Sequence, residues 1–163
     1  MEQKEKFMKE AIKEAKKAYD KNEVPIGAVI VKDNKVIAKA HNLRECKNQA
    51  IAHAEIFAIE KACKKLKAWR LENCDMYVTL EPCPMCAGAI LNARINNLYI
   101  GAMEPKFGAV GSKFNLFNDF VFNHNVNVET GILADESLKL IQEFFKQLRK
   151  SKKEINVDNN QID

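Results

Sequence analysis

Along residues 2–21 the apolar positions fall at Phe7, Met8, Ala11, Ile12, Ala15, Ala18 and Tyr19. That spacing predicts a helix with one buried stripe and a lysine-rich opposite face. Ile26 to Val31 is a short continuous apolar run and predicts a strand. Lys32-Asp33-Asn34-Lys35 predicts a hairpin turn, with a second strand over Val36 to Ala40. Residues 41–51 are polar and predict a loop. Helical periodicity returns from His53 to about Lys67 through Ile56, Ile59, Ala62, Cys63 and Leu66. Asp75 to Leu80 and Asn97 to Ala102 predict strands, separated by a short apolar helix from Cys83 to about Ala93. Residues 103–125 are aromatic, contain glycine and show little regularity. Val126 to Glu129 predicts a last short strand. Ala134 to Leu148 predicts an amphipathic helix through Leu138, Ile141, Phe144, Phe145 and Leu148. From Ser151 onward the chain is polar, and a frayed tail is expected over 151–163.

Strands alternating with helices argue for an α/β fold, a mixed sheet covered on both faces. A single domain over residues 1–150 is expected. The first two strands should pair antiparallel, and the later ones should join in parallel through right-handed crossovers.

Composition narrows the class. The chain has 163 residues, 47% apolar and 29% charged, which suits one globular domain and excludes collagen-like repetition, a solenoid and long disorder. No run of about 18 apolar residues occurs, so no transmembrane helix is expected. The charged stretch MEQKEKFMKEAIKEAKKAYDK is unlike a secretory signal, and a cytoplasmic protein is expected. A net charge of +4 permits nucleic-acid binding without requiring it. Five cysteines make an odd number, which argues against a simple disulfide framework. Clustered cysteines outside an oxidising compartment point to metal or catalysis.

Two short motifs carry the chemistry: His53-Ala54-Glu55 and Pro82-Cys83-Pro84-Met85-Cys86, each opening a predicted helix. Zinc favours imidazole and thiolate, and three protein ligands leave the fourth tetrahedral position to a water or hydroxide. Cys83 and Cys86 are spaced i, i+3 and share a face of one helical turn. Pro84 suits a first turn, where no N–H partner is needed. The positive end of the helix favours thiolates there. His53 and Glu55 lie two apart and share a site only if His53 sits at the very start of its helix. Glu55 would then take a proton from the metal-activated water and deliver it to a leaving amine. Plainer readings exist. A lone Cys-x-x-Cys serves redox chemistry in thioredoxin-like folds, and a structural zinc would need a fourth ligand from Cys46, Cys63, Cys74, His41 or His124. Cys63 on an apolar stripe and Cys74 beside a strand read instead as small buried hydrophobes. His-x-Glu followed by Pro-Cys-x-x-Cys is the composite signature of zinc deaminases, and a catalytic zinc is the reading adopted.

With these motifs the sequence resembles the zinc-dependent cytidine/deoxycytidylate deaminase superfamily. Within it, the chain is similar to the bacterial tRNA-specific adenosine deaminases. The likeness runs from about Phe7 to Arg149. It rests on Glu23 to Val29, His53 to Ile56, Val78 to Ala89, Gly108 to Ser112 and Gly131 to Glu136. The resemblance implies a three-layer αβα cytidine-deaminase-like fold with five strands. It also implies a homodimer that deaminates adenosine to inosine at the wobble position of tRNA, with arginine tRNA the expected substrate. Zn2+ would be the cofactor, one ion per subunit, with no organic cofactor and no membrane. His53, Cys83 and Cys86 match the zinc ligands, and Glu55 the proton shuttle. Asn42 matches a pocket asparagine that bonds the flipped nucleoside, and Ala54 would offer a backbone group beside the base. Where the family often has Arg-Asp-x-Lys-Thr-Gly, this chain has Met103-Glu104-Pro105-Lys106-Phe107-Gly108. Glu104 lengthens the acidic arm, and Lys106 keeps a cation that could meet a phosphate.

An RNA partner gives further residues a role. Phe107 is expected to pack in its loop more than to stack on a base. Phe144 and Phe145 are adjacent, so one helix face cannot bury both, and one should reach a neighbouring surface or nucleotide. The run Lys146 to Lys153, with Arg149 and Lys150 at its centre, would meet the anticodon stem-loop phosphates or simply be a solvated helix end. The N-terminal lysines read as a solvated face. The competing functional class is a free-base deaminase acting on guanine or cytosine.

Overall fold

The structure is a computed structural model and describes residues 2–160. Helix α1 (Glu2–Asp20) leads into β1 (Gly27–Lys32) and β2 (Lys35–His41). A single turn, α2 (Arg44–Lys47), lies in the segment expected to be loop, followed by α3 (Ala54–Leu66) and β3 (Cys74–Leu80). Then come α4 (Pro84–Asn92), β4 (Asn97–Ala102), β5 (Asn127–Glu129) and α5 (Ala134–Asn160). The sheet order is β2-β1-β3-β4-β5.

The β1–β2 hairpin turns at Asp33 and Asn34, both with positive φ, as a two-residue hairpin needs. The pairings β3–β4 and β4–β5 are parallel, as expected, but β1–β3 is antiparallel. The reason is where the first crossover lands. A helix crossover returns the chain to run parallel to the strand it left, so β3 is parallel to β2. β1 lies between them and is antiparallel to both.

Both faces of the sheet are covered, and the strands divide their side chains by period two. Ala28, Ile30, Met76, Val78, Leu98 and Ile100 join the core under α3 and α4. Val29, Val31 and Tyr77 join Phe7, Met8, Ala11 and Ile12 of α1. Tyr77 stacks on Tyr99 at 4.5 Å and tilts against Phe7 at 5.4 Å. The continuous apolar run in β1 thus reflects a strand buried on both sides.

The last helix departs most from expectation. It continues to Asn160 instead of fraying from Ser151, and the side chains of residues 151–159 are exposed. Its buried positions are Ser137 and Phe144, with Leu140 and Ile141 half-buried. Leu138 and Leu148, placed on the apolar stripe, are 41% and 40% exposed, and of the adjacent pair it is Phe145, 38% exposed, that reaches the surface. The helix packs on the end of the sheet and on α1, so only a narrow stripe is covered. Residues 161–163 of the expected tail lie outside the described residues. Among the described residues no helix is long and apolar enough to cross a membrane.

The topology gathers four chain ends at one edge: the entry to β1 and the exits of β2, β3 and β4. Gly27 pairs with His41, and Leu80 with Ala102, at that edge. Gly27 also sits directly under α1, where a Cβ would overlap the Ala11 carbonyl oxygen and lie 2.5 Å from the Ala15 amide. We expect Gly27→Ala to lower the thermal unfolding midpoint markedly. Backbone atoms cannot swing aside, so the cost should reach or exceed the upper end of the ~1–3 kcal/mol typical of overpacking. Calorimetry on the purified variant checks this, and an unchanged midpoint would show that α1 does not hold β1 this closely.

Candidate active site

Two helices begin at this edge. Cys83 is the N-cap of α4, extended at φ −72° and ψ 172°, with Pro84 at the first helical positions. His53 is the N-cap of α3, extended at φ −90° and ψ 151°. Neither side chain makes a cap hydrogen bond to its own helix. Both turn into one space. His53 Nδ1 lies 3.7 Å from Cys83 Sγ and 3.5 Å from Cys86 Sγ. One donor atom from each of the three residues falls within 4.8 Å of the others. Among the described residues no other set of three His, Cys, Asp or Glu side chains could hold a metal in this way. Cys46 is exposed, Cys63 half-buried and Cys74 buried, and none of them joins the cluster as a fourth ligand.

The donor set is chemically primed. Its hydrogen bond with the Cys86 thiol, joined by that with His53 and opposed by burial, lowers the Cys83 thiol to about 4. Cys86 keeps its proton and is pushed up by that same bond. Contact with Cys83 raises the His53 imidazole, while burial opposes it. Two sulfurs and one imidazole nitrogen at this spacing fit a soft divalent metal with one position left open. Glu55, in the first turn of α3, is only 4% exposed, and burial pushes its carboxyl up.

A cavity of about 180 Å³ opens over these groups. His53, Ala54, Glu55 and Cys83 line its base. Val24, Ile26, Asn42 and Arg44 line one side, and Leu80, Glu81, Glu104 and Phe107 another. Ile141 and Phe145 of α5 complete the wall. Asn42 is 4% exposed, and its side-chain amide donates to the Val24 carbonyl at 3.3 Å. Glu104 uses its carboxylate locally, accepting from the Lys106 N–H at 2.9 Å.

Several expected contacts change. Phe107 does not fill a loop core: it is 64% exposed and lines the cavity, inside a turn that the Gly108 N–H closes by donating to the Glu104 carbonyl at 3.0 Å. Phe144 is not available to RNA, being 9% exposed and packed edge-on against Tyr19 at 5.9 Å. Its neighbour Phe145 lies round the helix and faces the cavity. Lys106, Arg149 and Lys150 are exposed and do not line the cavity.

The sequence reading missed Arg44, Glu81 and Ile141. Ile141 was hidden in an apolar helical stripe, and Arg44 in a polar loop. Glu81 precedes Pro82 in the metal motif yet acts on a distant loop. Its carboxylate accepts from the backbone N–H groups of Glu104 at 2.9 Å and of Val110 and Ser112 at 3.0 Å each. The Ser112 hydroxyl donates to it as well. Gly108 has no side chain because a Cβ there would enter the Glu81 carboxylate.

Comparison with known proteins agrees with this architecture. Residues 2–149 match the MafB19-like deaminase family. The tRNA-specific adenosine deaminase of Bacillus subtilis (strain 168) is 53% identical, over 94% of this chain and 95% of that protein. The chain belongs to the family of tRNA-specific adenosine deaminases. A structure solved in a study of A-to-I editing by tRNA:A34 deaminases is 47% identical to this deaminase. It covers 82% of this chain and 97% of its own, with a TM-score of 0.79. Guanine deaminase from Bacillus subtilis is 34% identical, over 73% of this chain and 86% of its own, with a TM-score of 0.59.

In this deaminase, burial acts to raise the Glu81 carboxyl, but its hydrogen bonds, that of the Ser112 hydroxyl foremost, hold it below the ordinary 4.5. A carboxyl depressed on folding stabilises the fold above its ordinary value and loses that contribution as pH falls through the folded value. We therefore expect Glu81→Gln to destabilise at neutral pH, by about 2 kcal/mol or more, since a buried donor would lose its charged acceptor. The gap between variant and parent should narrow below about pH 4.5, the ordinary value of this group. Urea unfolding across pH 3.5–7, a range set around that value, measures both, and a pH-independent gap would contradict the assignment.

Proposed function

We infer that this deaminase hydrolyses adenosine to inosine at the wobble position of a transfer RNA, releasing ammonia. The observation that carries the reading is the His53, Cys83 and Cys86 cluster with buried Glu55 beside it, at the base of an open-mouthed cavity. The identity to named tRNA-specific adenosine deaminases supports the substrate.

His53, Cys83 and Cys86 would hold one zinc ion per subunit. When bound, zinc lowers the pKa of a coordinated water toward about 7 and so supplies a nucleophile at neutral pH. Glu55, whose burial raises its proton affinity, takes the proton released by the attacking water and returns it to the leaving amino group. Asn42 and the Ala54 backbone fix the base from one side. Glu104 and Lys106 face the flanking backbone, and the exposed Phe107 and Phe145 offer ring faces to neighbouring bases. The anticodon loop suits such a site because its bases are already partly unstacked, which lowers the cost of flipping one out. Arg149 and Lys150 extend the cationic surface along α5 toward the stem. The enzyme works as a homodimer in the cytoplasm, where its substrate is found.

Transcribed tRNA with adenosine at the wobble position, incubated with the zinc-loaded protein, should yield inosine by nucleoside mass spectrometry. Free guanine, cytosine and adenosine should stay unreacted. Ammonia from a free base alone would overturn the RNA assignment in favour of a small-molecule enzyme. Glu55→Ala should keep its zinc by metal analysis and lose turnover by at least about 10²-fold, the scale of a lost general acid–base. Full activity in that variant would remove Glu55 from the reaction. Chelation should abolish turnover, and added zinc should restore it.

A further inference from the structure

Glu23 is fully buried and lies outside the cavity lining. Its carboxylate accepts from the Glu45 N–H at 3.1 Å and from the Cys46 N–H at 2.5 Å. Those amides occupy the second and third positions of α2. They are the ones a Ser, Thr, Asp or Asn N-cap would ordinarily satisfy. The N-cap of α2 is Leu43, which has no side-chain acceptor. Glu23 therefore caps α2 from a different segment, more than twenty residues earlier in the chain.

Two further bonds tie the same segments together. The Asn42 amide N–H donates to the Ile26 carbonyl at 3.1 Å, and Asn42 Nδ2 donates to the Val24 carbonyl at 3.3 Å. The Arg44 N–H closes the link by donating to Asn42 Oδ1 at 3.3 Å. Glu23 itself is fixed to the end of α1 by its N–H bond to the Ala18 carbonyl at 2.9 Å. Of the cavity residues on this wall, Asn42 stands just before the single-turn helix and Arg44 is its first residue, so both are tied to the anchor that orders it. A four-residue helix has little stability of its own, so its conformation depends on that anchor.

We propose that Glu23 is a positioning residue for substrate recognition: by capping α2 it sets the placement of Asn42 and Arg44 in the nucleoside cavity. The proposal rests on the function inferred above. Glu23 does not touch the metal cluster, so its loss should weaken binding of substrate and transition state alike. Such a change raises KM and leaves kcat close to its original value.

The test compares the zinc-loaded parent with Glu23→Gln and Glu23→Asp on an anticodon stem-loop RNA. Glu23→Gln should raise KM by about tenfold, the scale of a lost charge-assisted hydrogen bond, with kcat and zinc content retained. Glu23→Asp, which keeps the carboxylate on a shorter arm, should recover part of the loss. In an Asn42→Ala background, Glu23→Gln should cost less than in the parent, because part of its effect passes through Asn42. Amide hydrogen exchange at Glu45 and Cys46 should quicken in Glu23→Gln. Fully additive effects, or an unchanged KM with only a lower unfolding temperature, would overturn the proposal. If the parent leaves the RNA unreacted, the inferred function fails by itself. The amide exchange still decides on Glu23: unaltered protection at Glu45 and Cys46 would sink its capping role as well.

Discussion

The positions of two helix starts govern everything at this site. An N-cap residue has extended backbone, and its side chain leans off the helix end instead of lying along the barrel. His53 and Cys83 hold those positions in α3 and α4, and their side chains meet off the two helix ends. The sheet brings the two starts together. Each crossover leaves from the same end of the sheet, so the segments entering α3 and α4 emerge on either side of the start of β1. The first turn then places Cys86 on the same face as Cys83, and Glu55 beside His53. A helix begun one residue later would rotate its ligand by about 100° and take it out of the cluster.

Around that core of chemistry the loops are held by buried carboxylates. Glu81 leaves β3 and gathers the backbone of residues 104–112, while Glu23 leaves α1 and gathers the first turn of α2. Each accepts several N–H groups that no strand or helix would otherwise satisfy, the condition for burying irregular chain. The walls of the cavity are therefore irregular in shape yet internally bonded.

Local signals in the sequence account for what could be read there. Period-two and period-3.6 patterns located the strands and helices. Asp33-Asn34 announced its hairpin, and the spacing in Pro-Cys-x-x-Cys placed two ligands on one turn. The antiparallel β1–β3 contact was not legible, because strand order depends on where a crossover lands and not on the strand's own pattern. The capping role of Glu23 was equally hidden. A single acidic residue has no periodicity, and its partners are backbone amides whose identity leaves no trace in side chains. Phe144 and Phe145 show the same limit on a smaller scale. Adjacency established that they face different ways, but only the packing of α5 on α1 decided which is buried and which borders the cavity.

The uninterrupted course of α5 carries one more consequence. The helix that supplies Ile141 and Phe145 to the cavity also carries Arg149, Lys150, Lys152 and Lys153. At about 1.5 Å per residue, Phe145 and Lys153 stand about 12 Å apart on one rod. That rod serves as a ruler. It converts residue count into a fixed span between the point where a base would enter and the charges farther out. Its gradations are angular as well as linear, because each residue advances the heading by 100°. Over this reach α5 is one unbroken helix, from Ala134 to Asn160.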